Sequence, residues 1–405
     1  MVIDTKGAAV RVWGMLGLLL AAQVAVALVG RSLGPLAPLI QSDLSLSKAQ
    51  VGMFPAALFL GQALVSLPSG FLADRFGSRL LLLLLCLWLG GSFALFALSG
   101  SFALALLFIV LGGFGYGAMH PATGRGILYL FSATRRGTAM GIKQMGITAG
   151  SALAALALLP LAIAGGWRPA VLGASGVLIA TGAVAFLLYR NPAESAARPD
   201  KTRSREFLPA IRELARNRLL WLISLGALGL NGAQMALSVY LIFFAYEYLG
   251  FSLPAAGLLL VVSEVSGSLG RVGWGVVSDN LFGGRRIIVL QIAAVVAGLC
   301  AVALATVPAN VSPLLVVAVI ALFGFTVTGF NGVWMNAASE AAPREISGLA
   351  TGLTVSVGSV GVMVVPPFYG YLVDTTGTYT WAWLTLGALM VLVVGILSRA
   401  GASTR

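Results

Sequence analysis

Residues 70–79 read GFLADRFGSR, and residues 275–286 read GVVSDNLFGGRR. Each stretch follows two long apolar runs and precedes a third, and each places an aspartate four residues after a glycine, with an arginine beyond it. A soluble enzyme has no reason to repeat such a motif between apolar runs. Two copies about half a chain apart instead indicate a membrane transporter built from two duplicated halves.

The composition of the chain requires lipid as its main solvent. Of its 405 residues, 59% are hydrophobic and only 9% are charged, whereas soluble proteins carry about 25% charged residues. Apolar runs of about 20 residues, the length of a membrane-spanning helix, recur along the whole chain. The strands of a membrane barrel would be about 10 residues long with alternating polarity. We therefore predict an all-α polytopic membrane protein.

Twelve apolar runs are predicted to form transmembrane helices, six on each side of one long basic linker. This division predicts an N-terminal half at 1–189, a cytoplasmic linker at 190–217 and a C-terminal half at 218–405. Residues 206–216 of the linker have the pattern of an amphipathic helix at the membrane surface. The predicted spans lie near residues 12–40, 49–72, 80–98, 101–128, 138–163, 168–189, 218–248, 253–279, 287–307, 312–338, 347–372 and 379–399.

Arginine and lysine residues concentrate in the linker and in the loops that follow the even-numbered spans. By the positive-inside rule, these loops and both termini face the cytoplasm, so the protein is expected in the cell (inner) membrane. The net charge of +12 has the same explanation and does not indicate nucleic-acid binding. The first apolar run lacks a small-residue cleavage site, so we interpret it as a retained span. The two cysteines, Cys86 and Cys300, form no metal or disulfide pattern, and we expect no metal and no cofactor.

Over essentially its whole length, the chain resembles the major facilitator superfamily. The pattern at 70–79, its degenerate second copy, the twelve spans and the basic central loop are typical of that superfamily. The resemblance implies two six-helix halves. It also implies that charged residues of both motif copies help to latch the halves at the cytoplasmic side in the outward-open state. The gating residues implied in this way are Asp74, Arg75, Arg79, Asp279, Arg285 and Arg286.

Two further stretches resemble organic-anion carriers of this superfamily. Residues 31–40, RSLGPLAPLI, with residues 43–52, DLSLSKAQVG, look like the start of anion:cation symporters. In those proteins the first-span arginine serves an anionic substrate. Residues 270–275, GRVGWG, look like the eighth span of oxalate:formate and monocarboxylate carriers, where the arginine binds carboxylate. Both resemblances imply an organic anion as the substrate.

The chain also departs from these families. Anion:cation symporters usually carry an arginine early in span four and an acid a few turns later, but residues 109–117, IVLGGFGYG, contain neither. The usual proton-coupling site is therefore missing or moved. Span five lacks the Gly-Pro pair that is typical of drug/proton antiporters, and this absence argues against drug efflux.

Ionisable side chains inside the spans are costly and usually functional. Arg31, in the outer half of span one, either grips a carboxylate or extends to the outer interface. Lys143 in span five likewise either attracts an anion or extends to the cytoplasmic interface. Glu264 and His120 are the candidate proton carriers. The alternative for Glu264 is a structural ion pair, and for His120 a hydrogen bond at a proline kink.

Two arginines lie nearer the cytoplasmic ends of their spans. Arg125 is assigned to the gate. Arg271 either binds substrate or ties the second motif copy to its neighbours, and we place it with the gate.

Amide and aromatic residues follow helical spacing on spans seven and ten. Such residues suit a cavity for a small polar molecule, although hydrogen bonds between helices explain any one of them equally well. The predicted substrate-binding residues are Arg31, His120, Lys143, Asn231, Gln234, Tyr240, Asn331 and Trp334.

The sequence thus predicts a secondary transporter that moves a small organic anion, a carboxylate, by alternating access about a site near the membrane midplane. Proton-coupled uptake is the first expectation, and the alternative is a proton-coupled antiporter that exports a drug or metabolite. The sequence contains no metal-ligand cluster, nucleophile–base set or phosphate loop, so an enzyme is not expected. The expected partners are the anion, protons and membrane lipid, and the protein is expected to be a monomer.

Overall fold

The computed structural model describes residues 5–131, 133–190, 207–343 and 346–402. All regular secondary structure in these residues is helical, as the apolar runs predict. The helices form two compact units. The first takes in the described residues of Met1–Ile40 and Ala57–Pro199, and the second takes in those of Gln41–Ala56 and Asp200–Arg405.

The first unit is centred on α1, which packs against α5 and α7. A π-helical turn, Ala154–Leu158, joins α5 to α6, and α3 enters this unit at Ala57. In chain order the helices are α1 (Thr5–Gly30), α2 (Ala37–Leu44), α3 (Lys48–Ala97), α4 (Phe102–Leu130), α5 (Ala133–Leu153), α6 (Leu159–Gly165) and α7 (Trp167–Leu188).

The second unit pairs α9 with α14, α11 with α15, and α10 with α12. Its α9 continues into a π-helical turn, Phe244–Tyr248. The helices are α8 (Phe207–Arg216), α9 (Arg218–Phe243), α10 (Leu253–Asn280), α11 (Arg286–Thr306), α12 (Pro313–Val327), α13 (Asn331–Glu340), α14 (Ser347–Thr376) and α15 (Thr380–Ala402).

Eleven stretches of described residues have the length and hydropathy of a membrane span. The remaining predicted span, residues 49–72, forms the first part of α3. The predicted tenth span is divided between α12 and α13 by turn residues 328–330. A multi-pass membrane protein is therefore confirmed. The exact half boundaries stay a prediction, since residues 41–56 pack in the second unit.

The glycines of the two motif copies make the turns between spans. Gly77 has φ 74° and ψ 168°, and it interrupts α3 between the second and third predicted spans. In the second copy, Gly283 and Gly284 have φ of 55° and 81° between α10 and α11. Positive φ is accessible to glycine at little cost, so the motif requires glycine at the point where the chain reverses.

The described part of the linker is α8, which has the predicted amphipathic pattern. Its Leu214 is buried, whereas Arg212 and Arg216 are exposed. Residues 191–206 of the predicted linker lie outside the described part of the chain.

Glycines allow α9 and α14 to approach closely. A Cβ atom added to Gly361 would lie 1.9 Å from the carbonyl oxygen of Leu228, and one added to Gly232 would lie 2.4 Å from Val365. Small residues at such crossings are the usual means of packing helices in a membrane.

Gly361→Ala is expected to destabilise the protein by about 1–3 kcal/mol, because overpacking forces the two helices apart. The thermal unfolding midpoint in detergent measures this effect. Gly395→Ala on α15 is the matched control, since a Cβ there meets no atom within 4 Å. Its midpoint should be unchanged or slightly raised. Equal midpoints for Gly361→Ala and the wild type would contradict the close crossing.

Candidate functional site

A buried lysine and a histidine form a pair in the first unit. Lys143 on α5 is only 1% exposed, and its Nζ lies 3.1 Å from Nδ1 of His120 on α4. The imidazole of His120 is itself exposed on this unit. A charged ammonium group has donors only, so whenever Lys143 is charged, Nδ1 accepts this hydrogen bond and a neutral ring carries its proton on Nε2.

Local sequence explains how Lys143 enters the interior. Residues three and seven positions beyond it, Gly146 and Gly150, share its helical face. That face packs on α1, where a Cβ on Gly150 would lie 2.5 Å from the carbonyl oxygen of Val24. The glycines allow α5 to pack closely against α1, and this packing buries the side chain of Lys143.

The charge of Lys143 has no acidic partner among the described residues, where its recorded hydrogen bond is the one to His120. A buried charge is expensive unless an opposite charge or hydrogen bonds compensate for it. A neutral imidazole satisfies one donor and supplies no negative charge. The pair is therefore suited to an external anion.

Arg31 lies in a second polar cluster of the same unit, just after the end of α1. It is half-buried, and its Nε donates a long hydrogen bond of 3.4 Å to the hydroxyl of Tyr116. Its guanidinium carbon lies 5.9 Å from the ring centroid of Phe59. The faces of aromatic rings help to hold a guanidinium group in place.

The amides predicted on the second unit are not equivalent. Asn231 donates to the carbonyl of Ala227 at 3.0 Å, and Asn331 donates to that of Thr328 at 3.1 Å. Within the part of the chain that the structure describes, the side-chain amide of Gln234 has no hydrogen-bond partner, although the residue is only 8% exposed. Gln234 is therefore the amide with the most unused hydrogen-bonding capacity.

Two predicted substrate residues are engaged in packing. Tyr240 is fully buried, and its hydroxyl lies 2.8 Å from the carbonyl oxygens of both Lys48 and Pro366. Trp334 is 3% exposed, and its indole N–H donates to the Thr354 hydroxyl at 3.1 Å. We therefore leave both out of the substrate site proposed below.

Glu264 and Arg271, both on α10, occupy different surroundings. Glu264 is 4% exposed, and it follows Ser263, which packs directly against Gly324 of α12. Arg271 donates from Nε to the carbonyl of Thr328 at 3.3 Å, just beyond the end of α12. A cation at a helix C-terminus stabilises its unpaired carbonyls. This contact favours the helix-tying alternative for Arg271 over substrate binding.

Arg286 connects three helices around the second motif copy. It pairs with Asp279 at the end of α10 and lies 3.4 Å from Glu340 at the end of α13. It also donates to the Ser278 hydroxyl at 2.9 Å. The sequence analysis did not predict this contact of Glu340, because an exposed acid at a helix end is not distinctive in the sequence. Arg285 is exposed.

Arginines of the first motif copy and of span four contact their own unit. Arg79 donates to the carbonyl of Phe186 at 2.6 Å and lies 4.4 Å over its ring. Arg75 is exposed, and Arg125 lies 5.3 Å from the ring of Tyr129. The side chain of Asp74 lies outside the described residues. The gating role of these residues stays a prediction.

Comparison with known proteins identifies the family. The model of the Major Facilitator Superfamily matches residues 19–366 and 282–402. The chain belongs to the Major Facilitator Superfamily. Both the recognition of this family and the predicted fold class are thereby confirmed, and the protein is a membrane transporter rather than an enzyme.

Curated superfamily members similar to the chain carry organic anions in their names. A probable sulfoacetate transporter of Cupriavidus necator is 24% identical over 87% of this chain and 85% of its own length. A probable galactarate/D-glucarate transporter of Bacillus subtilis is 26% identical over 86% of this chain and 83% of its own length. A hexuronate transporter of the same species is 23% identical over 88% and 86%.

Solved structures of other transporters share the fold. A bacterial homologue of the human lysosomal transporter Spinster superimposes with a TM-score of 0.74 at 20% identity, over 97% of this chain and 96% of its own. The nucleoside transporter NupG superimposes with a TM-score of 0.78 at 14% identity, over 95% and 99%. At these identities the likeness establishes the superfamily fold alone.

Proposed function

We propose that this protein is a secondary transporter that takes up a small organic anion, a sugar acid or related carboxylate, together with protons. The observation that carries the proposal is the burial of Lys143, whose Nζ contacts His120 and, among the described residues, no acidic side chain. The names of the similar superfamily members support the same class, because galactarate, glucarate, hexuronate and sulfoacetate are all small organic anions.

In the proposed site, the carboxylate binds at the Lys143–His120 pair, and Arg31 supplies a second cation. A guanidinium binds carboxylate in a bidentate manner, whereas an ammonium group acts as a point charge. A neutral sugar gains nothing from the two cations, so the site discriminates by charge.

The pair offers one route to proton coupling. A protonated His120 would face the ammonium group of Lys143 and be repelled by it. A bound anion removes that repulsion, so anion and proton favour each other's binding, and such coupling is reciprocal. Glu264 is the first candidate carrier, because protonation removes the free-energy cost of its buried negative charge.

The orientation of the protein and its location in the cell are also part of the proposal. We place both termini in the cytoplasm and the protein, as a monomer, in the cell (inner) membrane, because its arginine-rich loops follow the positive-inside rule.

Thermal unfolding of the purified protein with a panel of compounds tests the substrate class. A ligand at 100 times its dissociation constant stabilises the folded protein by about 2.7 kcal/mol. D-Glucarate, galactarate, a hexuronate and sulfoacetate are compared with neutral sugars of the same size. We expect at least one acid, and no neutral sugar, to raise the unfolding midpoint, and Arg31→Gln to reduce the rise. Stabilisation by neutral or cationic compounds alone would overturn the anion proposal.

A further inference from the structure

Residues 41–56 belong to the second unit, although the chain on both sides of them belongs to the first. Lys48, in the first turn of α3, is 7% exposed. Its ammonium group pairs with Glu247, donates to Gln41 at 3.1 Å and lies 3.8 Å over the ring of Phe243. The other oxygen of Glu247 accepts a hydrogen bond of 2.6 Å from the Tyr379 hydroxyl.

A carboxylate far along the chain caps the start of α3. The backbone N–H groups of Lys48 and Ala49 donate to the two oxygens of Asp374 on α14, each at 2.8 Å. The first N–H groups of a helix have no partner within the helix, and a negative charge there also favours the helix dipole. We name Lys48, Glu247, Asp374 and Tyr379 the Lys48 clamp.

Glycines bring the backbones at the clamp into contact. A Cβ on Gly370 of α14 would lie 2.4 Å from the carbonyl oxygen of Lys48, and one on Gly52 would lie 2.6 Å from that of Pro366. The hydroxyl of Tyr240 lies between the carbonyl oxygens of Lys48 and Pro366. Residues 41–56 therefore contact α9 and α14 through close backbone approaches and polar groups.

The clamp is connected to the first unit through a single continuous helix. The helix α3 begins in the clamp at Lys48 and enters the first unit at Ala57, without leaving helical conformation before Gly77. If the units move during transport, either the clamp opens or α3 bends between these points. Pro55 is the natural place for such a bend, because proline removes a helical hydrogen bond.

We propose that the Lys48 clamp opens and re-forms in each transport cycle, so that Lys48, Glu247 and Asp374 are positioning residues for the transport step. This inference rests on the secondary-transport function proposed above, with alternating access as its mechanism. The nature of the contacts favours opening over bending. The side chain of Glu247 is 36% exposed and Asp374 is exposed, so water can solvate both carboxylates when the clamp opens.

Two opposing effects act on the pKa of Lys48 while the clamp is closed. Burial lowers the pKa of Lys48 from its ordinary value, and the hydrogen bond to Glu247 and the charges of Glu247 and Asp374 act in the opposite direction. The two carboxylates thus compensate for the burial of this cation while the clamp is closed.

A reversible covalent lock tests whether the clamp must open. Ala49→Cys and Asp374→Cys are combined in a Cys86→Ala, Cys300→Ala background and bridged with a short bifunctional thiosulfonate reagent. We expect the bridge to abolish uptake of radiolabelled D-glucarate, and a reducing agent to restore it. Each single cysteine variant, treated identically, controls for loss of the Asp374 cap.

A second bridge provides the matched control. The Asn217 amide donates to the carbonyl of Ala341 at 2.7 Å, so Asn217→Cys with Ala341→Cys places a bridge in the same unit without touching residues 41–56. Uptake should survive this bridge. Undiminished uptake with the Ala49–Asp374 bridge in place would overturn the clamp proposal in favour of bending at Pro55.

Hydrogen exchange separates failure of the clamp from failure of the transport assignment, because it needs no substrate. In the wild type, amides of residues 46–54 should exchange faster than those in the middle of α9. Asp374→Ala should accelerate the exchange of 46–54 by about five- to tenfold, the change expected when a helix cap is lost, whereas Glu213→Ala on α8 should not. Exchange as slow as in α9, unaffected by Asp374→Ala, contradicts an opening clamp even if no panel compound is transported.

Discussion

Replacement of Lys143 by methionine is expected to weaken binding of the transported anion by about 10- to 100-fold, because a hydrogen bond to a charged group contributes roughly 1.5–3 kcal/mol and each 1.4 kcal/mol is a factor of ten. Methionine has a similar length and no charge. Titration of the purified protein with the anion identified by thermal unfolding measures the dissociation constant.

The same variant separates binding from structural roles. Lys143 is buried beside a neutral group, so its charge opposes folding until an anion binds. Lys143→Met should therefore leave the ligand-free unfolding midpoint unchanged or raise it, while the anion-induced rise is lost. A structural lysine would show the reverse, with a lower ligand-free midpoint and normal anion binding.

Arg399→Gln is the control for net charge. Arg399 is exposed on α15, and its loss removes one positive charge far along the chain from the proposed pair. We expect its anion affinity to equal that of the wild type. If the two variants weakened binding equally, the effect would be a general field of the protein, and Lys143 would leave the site.

Glu264→Gln is expected to abolish the stimulation of uptake by a proton gradient while exchange of external for internal anion continues. Glutamine imitates the protonated acid, so the carrier can still bind its substrate but can no longer release a proton from this position. Uptake into proteoliposomes with and without an imposed pH gradient, and counterflow without one, measure the two activities separately.

His120→Gln provides the comparison that assigns the proton. If His120 is the carrier, the gradient dependence disappears in that variant and persists in Glu264→Gln. Glu213→Gln on α8 is the matched control, since Glu213 is an exposed carboxylate. Equal uptake by Glu264→Gln and wild type, with the gradient still required, would remove Glu264 from the mechanism.

Much of the architecture is readable in the sequence because local rules determine it. The motif at 70–79 predicts a turn between two spans, and Gly77 provides that turn with its positive φ. Apolar runs of sufficient length predict helices, since backbone groups in lipid must be paired within a helix. The family follows from the same pattern, and the family match confirms it.

The surroundings of the charged side chains were less predictable. Their positions inside apolar spans identified Lys143 and His120 as separate candidates, and their contact depends on how α4 and α5 pack. Glu340 was overlooked, because an acid at a helix end is common and its pairing with Arg286 requires α11 to lie beside α13. Tyr240 was expected near substrate, yet its hydroxyl lies between two backbone carbonyls.

The sequence by itself determined the helical, apolar character of the spans, the turns at the motif glycines and the membership of the superfamily. These properties depend on residues close together in the chain. Only the tertiary structure decided that Lys143 is buried beside a neutral imidazole and that Asp374 caps a helix beginning 326 positions earlier. Such contacts arise when distant helices pack, and no local pattern encodes them, because each polar group is satisfied by whichever partner the packing brings within reach.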